Sequence, residues 1–484
     1  MSTRARTTQI FYASSLYGAA TLAAALDSGL FAAADRRLLL VANNAQTPEV
    51  SPALDAMPGF ERLRERFDGV LSWNGAIAPF HPGGWSPRGD DIPLWERYLR
   101  LLWGLGDDRI ELAVESIQVT PALSIARLFP DAALDVYADG LMSYGPTRDA
   151  IDPLVGERVR RLLHLDLVPG LEPLLLAEFG AEPLVVPAEA FVRVIAELSD
   201  AAAEGESVEV DSVGPFGESA GEPSGESLGR GEGAALLLGQ YLAALDILTP
   251  EEEEDLHVRM VRAAVARGHR RIVFKPHPTA PASWTRALER EAAALGAELT
   301  VLERPLLAEV VYRRLRPSLV VGCFSTALLT ASTFFGIPVA RVGTEPLLDR
   351  LTPYQNSNRI PLTIVDAVIP GLSEDGLSGD GSAGDGSAGD GSAGPGGPET
   401  VLDRTALHGL VKAVGFAMQP RIRADLRDAA EEFLATGLNG RTLRYFKRRR
   451  LTALGLPGGM PAPRGAAARK VVRGARRLKR AALR

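Results

Sequence analysis

The chain has 484 residues, 46% of them hydrophobic and 23% charged, which is enough for two cores of ordinary size and typical of a globular α/β protein. A single cysteine, Cys323, excludes an internal disulfide, and its neighbours from Val320 to Phe324 point to a buried structural thiol. The net charge of −7 is unevenly spread: residues 441–484 carry fifteen Lys or Arg and no acid, so the rest of the chain sums to −22.

The N-terminal stretch enters an apolar strand at Gln9-Ile10-Phe11-Tyr12. The run from Leu16 to Leu30 is interrupted by Asp27 and is too short to cross a bilayer. The expected location is the cytoplasm, with attachment at most to the inner membrane face. From there to about residue 202, strand-like and helix-like patterns alternate. Strands are predicted at Ile10–Ala13, Leu38–Ala42, Gly69–Ser72, Ile110–Val114, Leu134–Tyr137 and Pro183–Val186. Helices are predicted at Leu94–Trp103 and Leu123–Phe129, among others. Several strands run out into small or polar residues: Ser14-Ser15, Asn43-Asn44, Glu115-Ser116 and Asp139-Gly140. Short apolar strands with polar carboxyl ends fit a doubly wound sheet that binds its ligand along those ends.

Residues 203–233 are rich in Gly, Glu and Ser and read as a flexible linker. A second strand–helix series, 234–371, begins with the strand Ala235–Leu238. Thr249-Pro250-Glu251-Glu252 has the pattern of a helix start, with a capping Thr, Pro in the first turn and Glu three residues after the cap. Strands follow at 271–274, 298–302, 318–322 and 337–342. Residues 372–399 repeat Gly-Asp-Gly-Ser-Ala and read as disordered, two helices are expected near 402–417 and 421–436, and a basic tail runs from 441 to 484. Two Rossmann-like domains facing each other across a cleft, with C-terminal helices, is the GT-B arrangement, and the ligand crevice belongs between them.

Lys275-Pro276-His277-Pro278 follows the strand at 271–274. Lys275 stands out in a chain with 48 Arg and 5 Lys, since no other Lys precedes Lys412. The flanking prolines restrict the loop that carries His277, which can donate to or protonate a leaving phosphate. Ser325 and Thr326 open a helix after the strand at 318–322, where hydroxyls and free N–H groups can receive an anion or simply cap the helix. Asp139 ends a strand where a carboxylate can act as general base, and Gly140 lets the chain turn there. The same pair also makes an ordinary turn. Gln240-Tyr241 can meet a nucleotide, and Ser14-Ser15 an acceptor or sugar. A second His-Pro, His81-Pro82, has no preceding strand or Lys. His164, His257, His269 and His408 read as structural residues in helical or helix-end contexts. There is no Walker A motif, no Gly-x-Gly-x-x-Gly after a strand and no His/Cys cluster with ligand spacing, so neither a bound metal nor a cofactor is expected.

Ala138-Asp139-Gly140, His277-Pro278 and Ser325-Thr326, in that order, make the chain similar to the bacterial polysialyltransferases and, more distantly, to other GT-B sialyltransferases. Those enzymes carry two acidic residues then Gly, a His-Pro, and a Ser-Ser or Ser-Thr pair. The resemblance covers about residues 8–370 and departs at Ala138, where the first acidic residue would stand. It implies inverting transfer of sialic acid, or a related nonulosonic acid, from a CMP-activated donor to a glycan acceptor for a cell-surface polysaccharide. Asp139 is then the base, and His277, Lys275, Pro278, Ser325, Thr326 and Gln240 hold the CMP side. Two other readings stand beside it: a CDP-polyol phosphotransferase of teichoic-acid type, and an inactive nucleotide-sugar-binding protein. The basic, partly apolar tail suits an anionic membrane surface, and it lacks the stacking aromatics that nucleic acid would call for.

Overall fold

The computed structural model describes residues 6–138, 140–204, 233–277, 282–302, 304–372 and 402–460. Asp139, Pro278, most of the expected linker and Gly-Asp-Gly-Ser-Ala segment, and residues 461–484 lie outside the described residues.

Seven parallel strands form the first sheet: β1 (Thr7–Ala13), β2 (Arg36–Val41), β3 (Gly69–Ser72), β4 (Arg109–Glu115), β5 (Ala133–Tyr137), β6 (Val159–Leu165) and β7 (Glu182–Val186). Their order is β3-β2-β1-β4-β5-β6-β7. Five parallel strands form the second: β8 (Ala235–Leu238), β9 (Arg271–Lys275), β10 (Glu298–Val301), β11 (Leu319–Gly322) and β12 (Val339–Arg341), in the order β10-β9-β8-β11-β12. In each sheet the first strand in sequence is an interior one, and the order reverses beside it. That switch point lies between β1 and β4 in one sheet and between β8 and β11 in the other, and a crevice opens there.

The inner strands are buried almost throughout because helices cover both faces. All four residues of β8 and of β11 are buried, as are six of the seven in β1. The predicted helix start at Thr249 is a complete capping box. The Thr249 hydroxyl accepts from the Glu252 N–H at 3.2 Å, and the Glu252 carboxylate accepts from the Thr249 N–H at 2.9 Å. The helix behind it runs from Pro250 to Ala266.

The strand at β6 is absent from the sequence reading, and His164 lies on it rather than on a helix. Its pattern, Val-Arg-Arg-Leu-Leu-His-Leu, hides the strand because two arginines and a histidine break the apolar run. Arg161 and Arg160 reach the buried Asp135 on neighbouring β5, at 2.5 Å and 2.9 Å. The sheet thus pairs its own charges.

The two halves are joined through the helix Ala188–Glu204 and through the C-terminal helices. Phe191 packs on Phe334 with ring centroids 6.0 Å apart, and the Thr333 hydroxyl donates to the Leu167 carbonyl at 3.0 Å. The helix Arg404–Met418 and the turn after it return to the first domain, where Arg423 donates to the Leu174 carbonyl at 2.9 Å.

Part of the expected basic tail belongs to this packed body. Tyr445, Phe446, Leu451 and Leu456 are buried, and Arg450 donates to the Ala417 carbonyl at 2.8 Å. Four apolar side chains at helical and turn spacing outweigh the charge around them. The folded body therefore extends past residue 440.

Candidate active site

The carboxyl ends of the two sheets face each other. Gly140 follows β5 with φ +146°, a conformation that side chains rarely adopt. A β-carbon there would lie 2.6 Å from the Thr326 hydroxyl oxygen. Thr326 is the first residue of the helix Thr326–Phe335 in the second domain. The Leu141 N–H points at the same hydroxyl from 3.5 Å, long for a hydrogen bond. Gly140 and Leu141 thus meet the Thr326 helix start across the cleft, with Leu141 and Thr326 185 residues apart in sequence.

Ser325 caps that helix, its hydroxyl accepting from the Ala327 N–H at 3.2 Å. The remaining first-turn N–H groups carry the positive end of the helix dipole toward the cleft. Two strands away, β9 ends at Lys275 and the chain turns through Pro276 to His277. Between them β8 ends at Gly239, whose N–H donates to the Lys275 carbonyl at 2.8 Å. Any β-carbon on Gly239 would stand 3.0 Å from the His277 backbone nitrogen. The absence of a side chain lets the ends of β8 and β9 close up. At about 5 Å per strand, the ends of β9 and β11 lie about 10 Å apart with the end of β8 between them.

Tyr241, two residues past Gly239, stacks on the His277 ring with centroids 4.1 Å apart and planes 22° from parallel. Burial, and secondarily Lys275, lowers the His277 pKa to about 4, so the ring is neutral at physiological pH. Lys275 is itself pushed down by burial, while Glu309 pulls it back toward its charged form. Glu309 is buried on the helix Ala308–Leu315 and accepts from the Thr330 hydroxyl at 2.6 Å. Burial pushes its pKa up and Lys275 draws it down. Glu309 escaped the sequence reading. Its signal was a lone carboxylate in the apolar stretch Ala308-Glu309-Val310-Val311.

Gln240 is buried, and its backbone N–H donates to His257 at 3.0 Å, while its neighbour Tyr241 is exposed. In the first domain, Ser14 donates through its N–H and its hydroxyl to one Glu115 oxygen, at 2.9 Å and 2.7 Å. Ser15 caps the helix Leu16–Asp27. The Asn44 amide donates to the Tyr12 hydroxyl at 3.1 Å, and the Tyr137 hydroxyl donates to the Tyr12 carbonyl at 2.9 Å. Just past Glu115 the backbone is strained: Ser116 has φ 54° and the buried Ile117 φ 29°, which a β-branched residue seldom adopts. Such outliers gather at functional sites. His81 lies apart from the cleft-closing contact, against the Ala45 carbonyl at 3.0 Å. Among the described residues, no group of three or more His, Cys, Asp or Glu has the spacing to hold a metal ion.

Two parallel α/β sheets with opposed carboxyl edges, a polar wall on one and an anion-receiving wall on the other, define a glycosyltransferase of the GT-B type. The alpha-2,8-polysialyltransferase family model matches residues 9–344, and the chain belongs to that family. It is a sialyltransferase-like glycosyltransferase. No curated protein matches the chain significantly.

Among solved structures, the GT-B domain of a sialyltransferase from Photobacterium damselae is 11% identical, with a TM-score of 0.38 over 74% of this chain and 95% of that one. A Photobacterium 2,6-sialyltransferase, solved with CMP and lactose, is 12% identical, with a TM-score of 0.36 over 74% and 76%. MurG from Acinetobacter baumannii is 11% identical, with a TM-score of 0.34 over 75% and 84%. At these values no residue role passes from them to this chain. No helix among the described residues is long and apolar enough to cross a membrane.

Proposed function

We propose that the protein transfers sialic acid, or a related nonulosonic acid, from its CMP-activated form to a glycan hydroxyl, with inversion at the anomeric carbon. The observation that carries this reading is the apposition of Gly140 and Thr326. It sets the turn that holds a carboxylate in sequence against a helix start suited to phosphate.

In the proposed reaction the acceptor oxygen attacks the anomeric carbon as the bond from that carbon to the phosphate oxygen breaks. The hydroxyl proton passes to Asp139. The bonding pair leaves with CMP, through an oxocarbenium-like transition state. Charge grows on the departing phosphate. It is met by the His277 ring N–H, the Lys275 ammonium and the N–H groups behind Ser325 and Thr326. His277 serves as a neutral hydrogen-bond donor, since its lowered pKa leaves little imidazolium to give up a proton. These fixed donors take the part a metal ion would otherwise play, and we propose a metal-independent reaction. A dianionic donor entering the site draws the pKa of Lys275 back up and restores its charge.

The test is CMP release from CMP-sialic acid by the purified chain, with and without a glycan acceptor, with NMR of the product anomer. Release that rises with acceptor, gives the inverted anomer and collapses in His277→Ala supports the reading. No release, with CDP-glycerol consumed instead, identifies a polyol phosphotransferase. Turnover of neither donor identifies a protein that only binds.

A further inference from the structure

The helix Ile92–Leu102 in the first domain buries one of its 11 residues, Leu99. Its outer face is apolar: Leu94 is 69% exposed, Leu101 75%, Leu102 51% and Tyr98 43%. Among the described residues twelve large hydrophobic side chains are exposed, and four of them stand on this one helix. Spaced three or four residues apart around two turns, they form a single stripe. An aromatic chain extends it. Tyr98 meets Trp95 with ring centroids 5.6 Å apart, Trp95 meets Trp85 at 4.8 Å, and Trp85 stacks on the exposed Phe80 at 6.1 Å. The open apolar surface amounts to about 500 Å², at the upper end of what a monomer leaves to water.

Charge decides what covers it. Residues 88–102 hold three acids, Asp90, Asp91 and Glu96, and three arginines, Arg88, Arg97 and Arg100. The sum is zero, which gives an anionic lipid surface no net attraction. The signs are nevertheless ordered along the axis. Asp90 and Asp91 precede the helix, whereas Arg97 and Arg100 lie in its second half. Arg36 sits at its carboxyl end, donating to the carbonyls of Trp103 and Gly104, each at 3.2 Å. Among the described residues Asp90, Asp91 and Arg97 form no ion pair within the chain. A helix with acid at its start and guanidinium groups at its end is complementary to itself when reversed, and helix dipoles also favour that arrangement.

We propose that this face pairs two copies of the chain, helix on helix, antiparallel about a two-fold axis passing between Arg97 and Tyr98. In that register Leu94 of each copy packs on Leu101 of the other, Arg97 lies over the opposite Tyr98 ring, and Asp91 faces the opposite Arg36. The two patches together bury about 1,000 Å², the lower bound of a specific interface, which places the dimer in the micromolar range. The helix precedes β4 and its carboxyl end is held by Arg36 at the start of β2, so it runs from the carboxyl edge of the first sheet back to the amino edge. Antiparallel pairing therefore points the two clefts in opposite directions.

Sedimentation equilibrium of the full chain between about 1 and about 100 µM tests the pairing. The parent should pass from monomer to dimer across that range. Leu94→Glu/Leu101→Glu should weaken the association by at least about a hundredfold, since both side chains lie at its centre and the new charges face one another. Both positions are exposed, so the variant should keep the parent's circular dichroism spectrum. Leu94→Cys/Leu101→Cys should give a disulfide-linked dimer on oxidation, whereas Leu94→Cys alone should not, because the register separates the two Leu94 positions by about 10 Å along the axis. The natural Cys323 is buried and does not compete. A parent that stays monomeric throughout overturns the proposal, as does a dimer that the glutamate variant leaves intact. Linkage of Leu94→Cys as ready as that of the double variant overturns the antiparallel register. A monomer that binds phosphatidylglycerol vesicles, and loses them in the glutamate variant, would show that lipid covers this face in place of a second copy.

Discussion

Gly140 and Thr326 lie so close across the cleft that a single added methyl group would place carbon 2.6 Å from the threonine hydroxyl. The glycine is required twice over, by its φ of +146° and by this approach. Gly140→Ala should keep the two cores intact, because neither sheet depends on the turn. It should nonetheless lower kcat/KM by about a hundredfold, the usual effect of shifting reacting groups by an ångström. Adding Thr326→Ala removes the collision but not the backbone strain, so the double variant should recover only part of the loss. Full recovery would show that φ at this position is unimportant. Steady-state CMP release and the melting temperatures of the parent and the two variants check this.

The stack of Tyr241 on His277 makes a separate prediction. At 4.1 Å between centroids the tyrosine ring fixes the imidazole plane, which the two flanking prolines cannot do alone. Tyr241→Phe retains the stack and should behave as the parent. Tyr241→Ala should lower kcat about tenfold or more with a smaller change in KM, because it disorders a group that acts mainly at the transition state. In the ligand-free protein the His277 NMR signal should titrate with a midpoint near 4, and CMP should move it upward. A midpoint at the ordinary histidine value in the free protein would remove the case for a neutral donor.

These two pairs show how far the sequence could be read. Each motif residue could be placed at a strand end because the strands around it, β5, β9 and β11, are short apolar runs with abrupt polar exits. The two strand–helix series on either side of residues 203–233 then gave the two-domain layout. Pairings between distant segments were not legible. Nothing in Gly140 announces Thr326, and nothing in Ser14 announces Glu115, because such contacts arise only once two sheets have twisted and packed. The strand β6 was missed because Arg160, Arg161 and His164 interrupt its apolar pattern, and their partner Asp135 is on another strand. The fold of residues 441–456 was missed for the opposite reason. Charge dominates that composition, while four buried apolar residues decide its position.

His257 ties stability to pH. It is fully buried on the helix Pro250–Ala266, and its Nε2 accepts from the Gln240 N–H at 3.0 Å, so its proton sits on Nδ1. Burial lowers its pKa to about 4, from an ordinary 6.5. As pH falls, the unfolded chain takes up this proton before the native one does. The stabilisation is complete above about pH 6.5 and is lost progressively as pH falls toward 4. The loss from this residue amounts to about 3 kcal/mol. His277 and His164, also pushed down by burial, add to it in the same direction. His257→Leu should be less stable at neutral pH by about 1–3 kcal/mol, since the Gln240 N–H loses its acceptor. It should also show a shallower decline between pH 6.5 and 4. Urea titrations across that range distinguish the two effects, and an unchanged slope would locate the pH dependence elsewhere.

Asp366 anchors the second domain to the C-terminal segment. It lies fully buried on the helix Arg359–Val368. One oxygen receives the Thr344 hydroxyl at 2.6 Å and Arg341 at 3.2 Å; the other receives Arg444 at 2.6 Å and the Tyr445 hydroxyl at 2.8 Å. Two guanidinium groups thus meet on one carboxylate, and Arg341 is nearly as buried as Asp366 itself. Arg444 also pairs with the exposed Glu345 at 2.6 Å, so replacing the acid falls hardest on the buried Arg341. Asp366→Asn, though nearly isosteric, should destabilise the chain by about 3 kcal/mol or more. Arg444→Met removes only one of the two cations, whose side chain is part-exposed, and should be milder. Because Arg444 and Tyr445 lie in the C-terminal segment, both variants should first expose that segment to protease. The Gly140–Thr326 side of the cleft should respond later, so CMP binding at low temperature should survive in Arg444→Met. Equal stability of Asp366→Asn and the parent would mean that the network contributes packing rather than charge compensation.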